Sequence, residues 1–361
     1  MAYSEPIHAA VLTYSCFAEG HVGMKIEKNQ IAKDGKNRPL NFDDFWYLRN
    51  MLLQDKVIPV GSDTNYKLFG NDLPGSNGGE PTAYVLVLKD GMTSFGVDKD
   101  KLLYQIQNIP IADKQMLNTR QKKVMNKHKR HNFNIGDKII SADIANGQST
   151  LYNFNCSFLS EAKKLRDAFT NLVEKYDHPS RKLGTLNNLL AEANVYYKDE
   201  YKKNNFCGIG YHGDTERPRS PVIGCNVGAD RYLSFRAFHK NRYFNDHEVR
   251  IKLEHGDIYF MSEHAVGCNW KKSSQVVFRH RAGSLKFLEK DDKDRARRWE
   301  LAEKKANRSL ERLDMVKEHR AAQKRKKDEV EVIDYTEEVV RGGKKYKKVV
   351  TYVPMVDLTE D

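Results

Sequence analysis

Apolar and polar positions alternate most regularly between residues 190 and 285. Residues 249–254 (VRIKLE) switch at every step, the period-two pattern of a half-buried strand. The segment HGD at 255–257 then supplies a turn, and 258–261 and 275–279 (QVVFR) read as further strands. Upstream, 83–89 (AYVLVLK) is strand-like ahead of the Asp90-Gly91 turn signal. Residues 70–79 (GNDLPGSNGG) form a breaker-rich loop. Helical spacing appears in 160–176, where Leu165, Phe169 and Leu172 make one apolar stripe and Ser160 is placed to cap. Residues 291–327 carry alternating charges with sparse Leu, Ala and Met, the pattern of a solvated helix that closes on QKRKK. Two β-prone runs flank Gly342-Gly343 within 337–353, predicting a hairpin.

Short strands separated by turn residues over about 100 positions predict a sandwich, barrel or jelly roll. Three regions follow: a mixed α/β region at 1–115, a β-rich domain at 116–288 with a basic segment and helix ahead of it, and a charged helix with a hairpin-like tail at 289–361.

Composition narrows the class. The chain has 361 residues, 39% of them hydrophobic, enough for a real core. No apolar run approaches the ~20 residues of a membrane span. Cys16, Cys156, Cys207, Cys225 and Cys268 are odd in number and scattered without a CxxC pair, which argues against a zinc knuckle or a disulfide framework. The start lacks the basic lead and cleavage pattern of a secretory leader, so a soluble intracellular protein, nuclear or cytoplasmic, is expected. Lys and Arg number 61 against 49 Asp and Glu, a net charge of +12 that favours polyanionic partners, nucleic acid before membrane.

The densest candidate chemistry lies in 194–217 (NVYYKDEYKKNNFCGIGYHGDTER). His212 and Asp214 are two positions apart, so on a strand they face the same way and can reach one metal ion. One His, one carboxylate and a distant second His make the facial triad of non-haem iron oxygenases, which leaves positions open for a cosubstrate and O₂. His264 stands 52 residues beyond His212, room for several strands before the chain returns. His255-Gly256-Asp257 competes for that part but sits at a strand-to-strand turn and reads as structural. A diacid cosubstrate needs a cation, and Arg279 and Arg281 share one face of the strand downstream of His264.

The order Asn194-x-Tyr196, GIGYHGDTER, an HGD turn, His264 and FRHRAG resembles the AlkB-like, 2-oxoglutarate- and Fe(II)-dependent dioxygenases over roughly 190–285. Residues 124–132 (VMNKHKRHN) are similar to viral and algal members of that group, which admits a virus-encoded protein. The resemblance implies an α+β fold with a double-stranded β-helix (jelly-roll) core, flanking helices and the charged C-terminal helix. It implies Fe(II) held by His212, Asp214 and His264. Arg279 would be the main partner of 2-oxoglutarate, with Arg281 beside it, and Asn194 and Tyr196 would hydrogen-bond the cosubstrate. Glu216 would read the target base, with Arg217 either orienting it or pairing with it. Apart from the resemblance, Tyr211, Tyr232 and Phe235 are aromatics that could stack on a base, although aromatic positions on strands are more often core. The chain departs from the family where a second arginine is expected: six positions before Arg279 stands Ser273. An insertion around 202–205 lengthens the approach to His212, and the interval from Asp257 to His264 is short.

The activity so implied is oxidative demethylation or hydroxylation of alkylated bases in DNA or RNA, single-stranded or flipped from the stack. Arg120, Lys122, Lys123, Lys127, Lys129 and Arg130 would grip phosphates. Two other classes stay open: a protein hydroxylase or demethylase on the same scaffold, and a catalytically silent nucleic-acid-binding protein.

Overall fold

A computed structural model describes residues 7–21, 23–68, 83–109, 113–127, 130–178, 183–197, 208–214, 220–240, 242–272, 274–328 and 333–352. The breaker-rich loop at 70–79, the insertion at 202–205, Ser273, Lys129, Cys207, Glu216 and Arg217 fall outside them. The chain divides into two compact units, Met1–Asp291 and Asp292–Asp361.

The first unit opens with β1 (Ile7–Ser15), β2 (Phe17–Glu19), β3 (Ile26–Lys28), α1 (Gln30–Lys33), α2 (Phe42–Gln54), β4 (Asp63–Leu68) and β5 (Ala83–Leu88). It continues through α3 (Gly91–Ser94), α4 (Lys99–Gln107), β6 (Gln115–Asn118), β7 (Lys123–Asn126), β8 (His131–Gly136), β9 (Leu151–Asn153) and α5 (Ser160–Tyr176). Then come β10 (Leu190–Tyr197), β11 (Gly208–His212), β12 (Val222–Gly228), β13 (Arg231–His239), β14 (Arg242–Leu253), β15 (Ile258–Met261), α6 (Glu263–Val266) and β16 (Val277–Gly283). Helix α7 (Leu285–Asp328) starts in this unit and runs on into the second, which ends in the hairpin of β17 (Ile333–Arg341) and β18 (Lys344–Tyr352).

The fold is mixed α+β and mostly antiparallel. An eight-stranded sheet has the order β4-β5-β15-β12-β1-β10-β8-β9, and a four-stranded sheet the order β11-β16-β13-β14. The boundary expected at 115–116 does not divide the fold, because β1 pairs with both β10 and β12. Period-two alternation gives the large sheet two jobs. Leu12, Tyr14, Ala191, Ala193, Val195, Ile223, Cys225 and Phe260 join one core with Leu165, Phe169 and Leu172 of α5 and Leu102 of α4. The alternate residues Val222, Tyr259 and Met261 join a second core with Leu233, Phe235, Ile251, Leu253 and Phe278 of the small sheet. Each fully buried Leu or Phe contributes roughly 1.5–3 kcal/mol, so burial on both faces fixes the register of the central strands.

Helix α5 has the expected bounds but not the expected cap. Leu159 is its N-cap, with no side-chain hydrogen bond. Instead Gln105 of α4 reaches across, donating to Ser160 Oγ at 2.7 Å and accepting from the Glu161 backbone N–H at 3.1 Å. A neighbouring helix satisfies the start of α5. The turn at 255–257 is structural as read: Gly256 has φ +97°, and Asp257 accepts from Lys89 Nζ at 2.7 Å and from the backbone N–H groups of Asp90 and Glu254. Cys16, Cys156, Cys225 and Cys268 are free thiols. In the second unit Gly342 and Gly343 both take positive φ, the requirement of a two-residue primed turn. Among the described residues no helix is long and apolar enough to cross a membrane.

Candidate metal centre

Strand β11 delivers His212, and β16 lies beside it with His280 as the register partner of His212. The two rings stand 4.3 Å apart, centroid to centroid. Asp214 follows two residues after His212, its backbone N–H donating to Val266 O at 3.1 Å. Its carboxylate oxygens lie 3.6 Å from His212 Nε2 and 3.9 Å from His280 Nε2. Neighbouring ligands around an ion bonded at about 2.1 Å are roughly 3 Å apart, so small side-chain movements close this set. One ligand atom from each of His212, Asp214 and His280 lies within 4.8 Å of the others, and the three could hold a metal ion. His212 Nδ1 lies 2.8 Å from Gly210 O; the N–H placed there donates to that carbonyl and leaves Nε2 as the lone-pair nitrogen facing Asp214.

Gly213 is where the motif needs glycine. A Cβ there would come within 2.4 Å of Gly267 O and 2.6 Å of Trp270 Cδ1. The loop after α6 thus presses on the HGD segment and carries Trp270 to the edge of the centre.

His264 does not join the set. It lies in the short helix α6, half-buried, where its carbonyl accepts from Gly267 N at 3.1 Å, and it does not line the cavity described below. The third member of the set is His280, between the two arginines expected to serve the cosubstrate. The parity of β16 explains the exchange: if position 280 faces the centre, 279 and 281 face away. Arg279 stacks on Phe238 and Trp270, with its Cζ 4.5 and 5.4 Å from the ring centroids, and donates to Trp270 O at 3.4 Å. Arg281 is 0% exposed and bonds Glu248 at 2.9 Å, Asp291 at 3.1 Å and Leu288 O at 3.2 Å. Neither lines the cavity.

Tyr211 also faces away from His212. Its hydroxyl bonds Ser234 at 2.9 Å and Glu248 at 3.4 Å, and Arg281 lies over its ring. Burial pushes its phenol pKa well above the usual value. It belongs to the outer network of the small sheet rather than to a base-stacking surface.

The cluster of His212, Asp214 and His280 opens on a cavity of about 310 Å³ between the sheets. Asn194 and Tyr196, expected to contact a cosubstrate, line it, together with Val11, Thr13, Tyr259, Trp270, Arg130 and Arg231. Asn194 is buried, its Nδ2 donating to Glu192 Oε1 at 3.1 Å while Oδ1 has no partner among the described residues. Tyr259 lies flat across Gly224, where a Cβ would stand 1.9 Å from its Cζ. Arg231, which sequence reasoning passed over, is 2% exposed, with its guanidinium 3.7 Å above the Tyr196 ring. A charged residue opening a strand after a turn gives no sequence signal of burial.

The basic segment separates into two parts. Arg120, Lys122 and Lys123 are exposed on the β6–β7 hairpin, with Lys122 at positive φ in its turn. Lys127 is buried, donating to Gly20 O and Asn132 Oδ1, and burial pulls its amine down to about 8. It is a structural lysine rather than a phosphate grip. Arg130 lines the cavity.

No family model matches the chain. Over 280 residues it is 30% identical to the uncharacterized protein R156 of Acanthamoeba polyphaga mimivirus, an alignment covering 77% of this chain and 96% of that protein. The chain belongs to the family of that viral protein.

Proposed function

We propose that the protein is an Fe(II)- and 2-oxoglutarate-dependent dioxygenase of the AlkB-like type, built on a jelly-roll core and acting on alkylated bases of DNA or RNA. The observation that carries this reading is the meeting of His212, Asp214 and His280 at the wall of a cavity between two sheets. Two imidazoles and one carboxylate are the donor set of the facial triad, and they leave coordination positions for other ligands. When bound, Fe(II) would supply the redox chemistry that couples decarboxylation of 2-oxoglutarate to oxidation of a C–H bond. The chain's own part is positional. Gly210 O orients the His212 ring, and Gly213 lets the loop bearing Trp270 close against the centre. The apolar wall of Val11, Leu233, Leu253 and Met261 limits access of water.

A nucleic-acid substrate is supported by the exposed cations of the β6–β7 hairpin and by Arg130, ten residues past Arg120 in the sequence and on the cavity wall. A target base must leave its stack to enter such a cavity, which costs a few kcal/mol and least in single strands. The test is succinate release with iron and 2-oxoglutarate against methylated DNA, RNA and peptide pools. Iron-dependent turnover with formaldehyde release from oligonucleotides is expected. Turnover with peptides alone would move the protein to the hydroxylase class, and no turnover from an iron-loaded protein would sink the enzymatic reading.

Reversing the hairpin charges, with Arg120, Lys122 and Lys123 each changed to Glu, should weaken single-stranded DNA binding. Each lost phosphate contact removes about 0.7 from the slope of log affinity against log salt, roughly 2 in all. A slope equal to that of the parent protein would return the hairpin to solvated surface.

A further inference from the structure

We propose that Arg231 is the anion seat of the cavity, holding the distal carboxylate of a five-carbon diacid cosubstrate. This rests on the reading of the cavity as an oxygenase centre, and it gives Arg231 the part that the family resemblance gives Arg279.

The first argument is an uncompensated charge. A guanidinium stays protonated in any protein environment. Arg231 is buried, yet its Nε and Nη2 have no hydrogen-bond partner among the described residues. Other buried arginines of the small sheet are supplied with anions: Arg281 has Glu248 and Asp291, and Arg236 has Glu248 at 2.7 Å. A buried cation without such a partner is costly, and among the described residues no carboxylate forms an ion pair with it, so the arrangement calls for an added anion. Glu19 and Glu192 line the same cavity, but they accept from Gly23 N and from Asn194 Nδ2.

Position is the second argument. On β13, Phe235 lies opposite His280, and residues 231, 233 and 235 share a face by strand parity. Positions 231 and 235 are about 13 Å apart along a strand, a span that an arginine side chain and a five-carbon diacid bridge together. The Tyr196 ring beneath the guanidinium fixes its plane and leaves the N–H edge for a carboxylate, the geometry of bidentate recognition.

The experiment measures binding without turnover. Mn(II) affinity, and 2-oxoglutarate affinity of the Mn(II)-loaded protein in the absence of O₂, are compared for wild type, Arg231→Met and Arg279→Gln. Arg231→Met should bind 2-oxoglutarate at least tenfold more weakly, since a charged hydrogen bond is worth roughly that much or more. It should keep its Mn(II) affinity within about twofold and bind pyruvate, which lacks the distal carboxylate, as the wild type does. The ligand-free variant should melt no lower than wild type, because an unpaired buried charge has been removed, whereas a structural arginine would lower the midpoint. Arg279→Gln should leave 2-oxoglutarate affinity unchanged. Less than a tenfold loss in Arg231→Met, or an equal loss in Arg279→Gln, overturns the assignment. Failure of the wild type to bind Mn(II) would instead refute the metal centre, and the separate metal titration tells the two failures apart.

Discussion

Replacing His280 with alanine should abolish iron-dependent turnover and lower metal affinity by more than roughly 100-fold, beyond the loss that follows when only a ligand's outer partner is removed. His280 is 5% exposed and lies against His212 across β11 and β16, which holds its ring beside the other two candidate ligands. His264→Ala should leave metal affinity unchanged, because its ring stands on α6 outside the cavity lining. A Co(II) or Mn(II) titration of the two folded variants decides between them. Metal binding that survives loss of His280 and disappears with loss of His264 would reverse the ligand assignment.

The largest stability effect is expected at Arg281. Changing it to alanine leaves Glu248 with Arg236, Arg250 and Ser234 but without its fully buried cation, and deprives Asp291 of the ion pair that ties the start of α7 to β16. Breaking a buried pair by removing one partner costs about 3–5 kcal/mol; with Arg236 still bonding Glu248, the lower end, about 3 kcal/mol, applies. In a unit of this size, Met1–Asp291, that lowers the melting midpoint by roughly 5 °C. A shift below about 2 °C in a calorimetric scan would show that the network carries little of the stability.

The same carboxylate gives the network a pH signature. Burial alone would raise the Glu248 pKa, but hydrogen bonds from Ser234, Arg236 and Arg281 outweigh it and hold the carboxyl well below the usual range. A group whose pKa is lowered on folding contributes stability that is complete above its unfolded value, near 4.3 for glutamate, and is lost as pH falls towards the folded value. The stability gap between wild type and Glu248→Gln should therefore be flat from about pH 5 upward and shrink below about pH 4. A gap that grows on acidification would contradict the direction assigned to this carboxyl.

The sequence determined much through its periodicities. Alternation in 249–254 gave part of β14, the 3.6-residue stripe of Leu165, Phe169 and Leu172 gave α5, and paired glycines gave the last hairpin. His212 and Asp214 were legible as a pair because both parity and spacing are local properties. Asn194 and Tyr196 were legible through resemblance and line the cavity on alternate positions of β10. The second imidazole and the placement of the arginines were not, for one physical reason. Period two says which residues share a face of a strand but not which face meets the partner sheet. FRHR fits either parity as a string. Only the pairing of β16 with β11 on one side and β13 on the other turns His280 towards His212 and Asp214 and sends Arg279 and Arg281 to the opposite face of the small sheet. The same long-range pairing buried Arg231 beside Tyr196 and placed Lys127 inside the protein, where its charge alone would have put it in water.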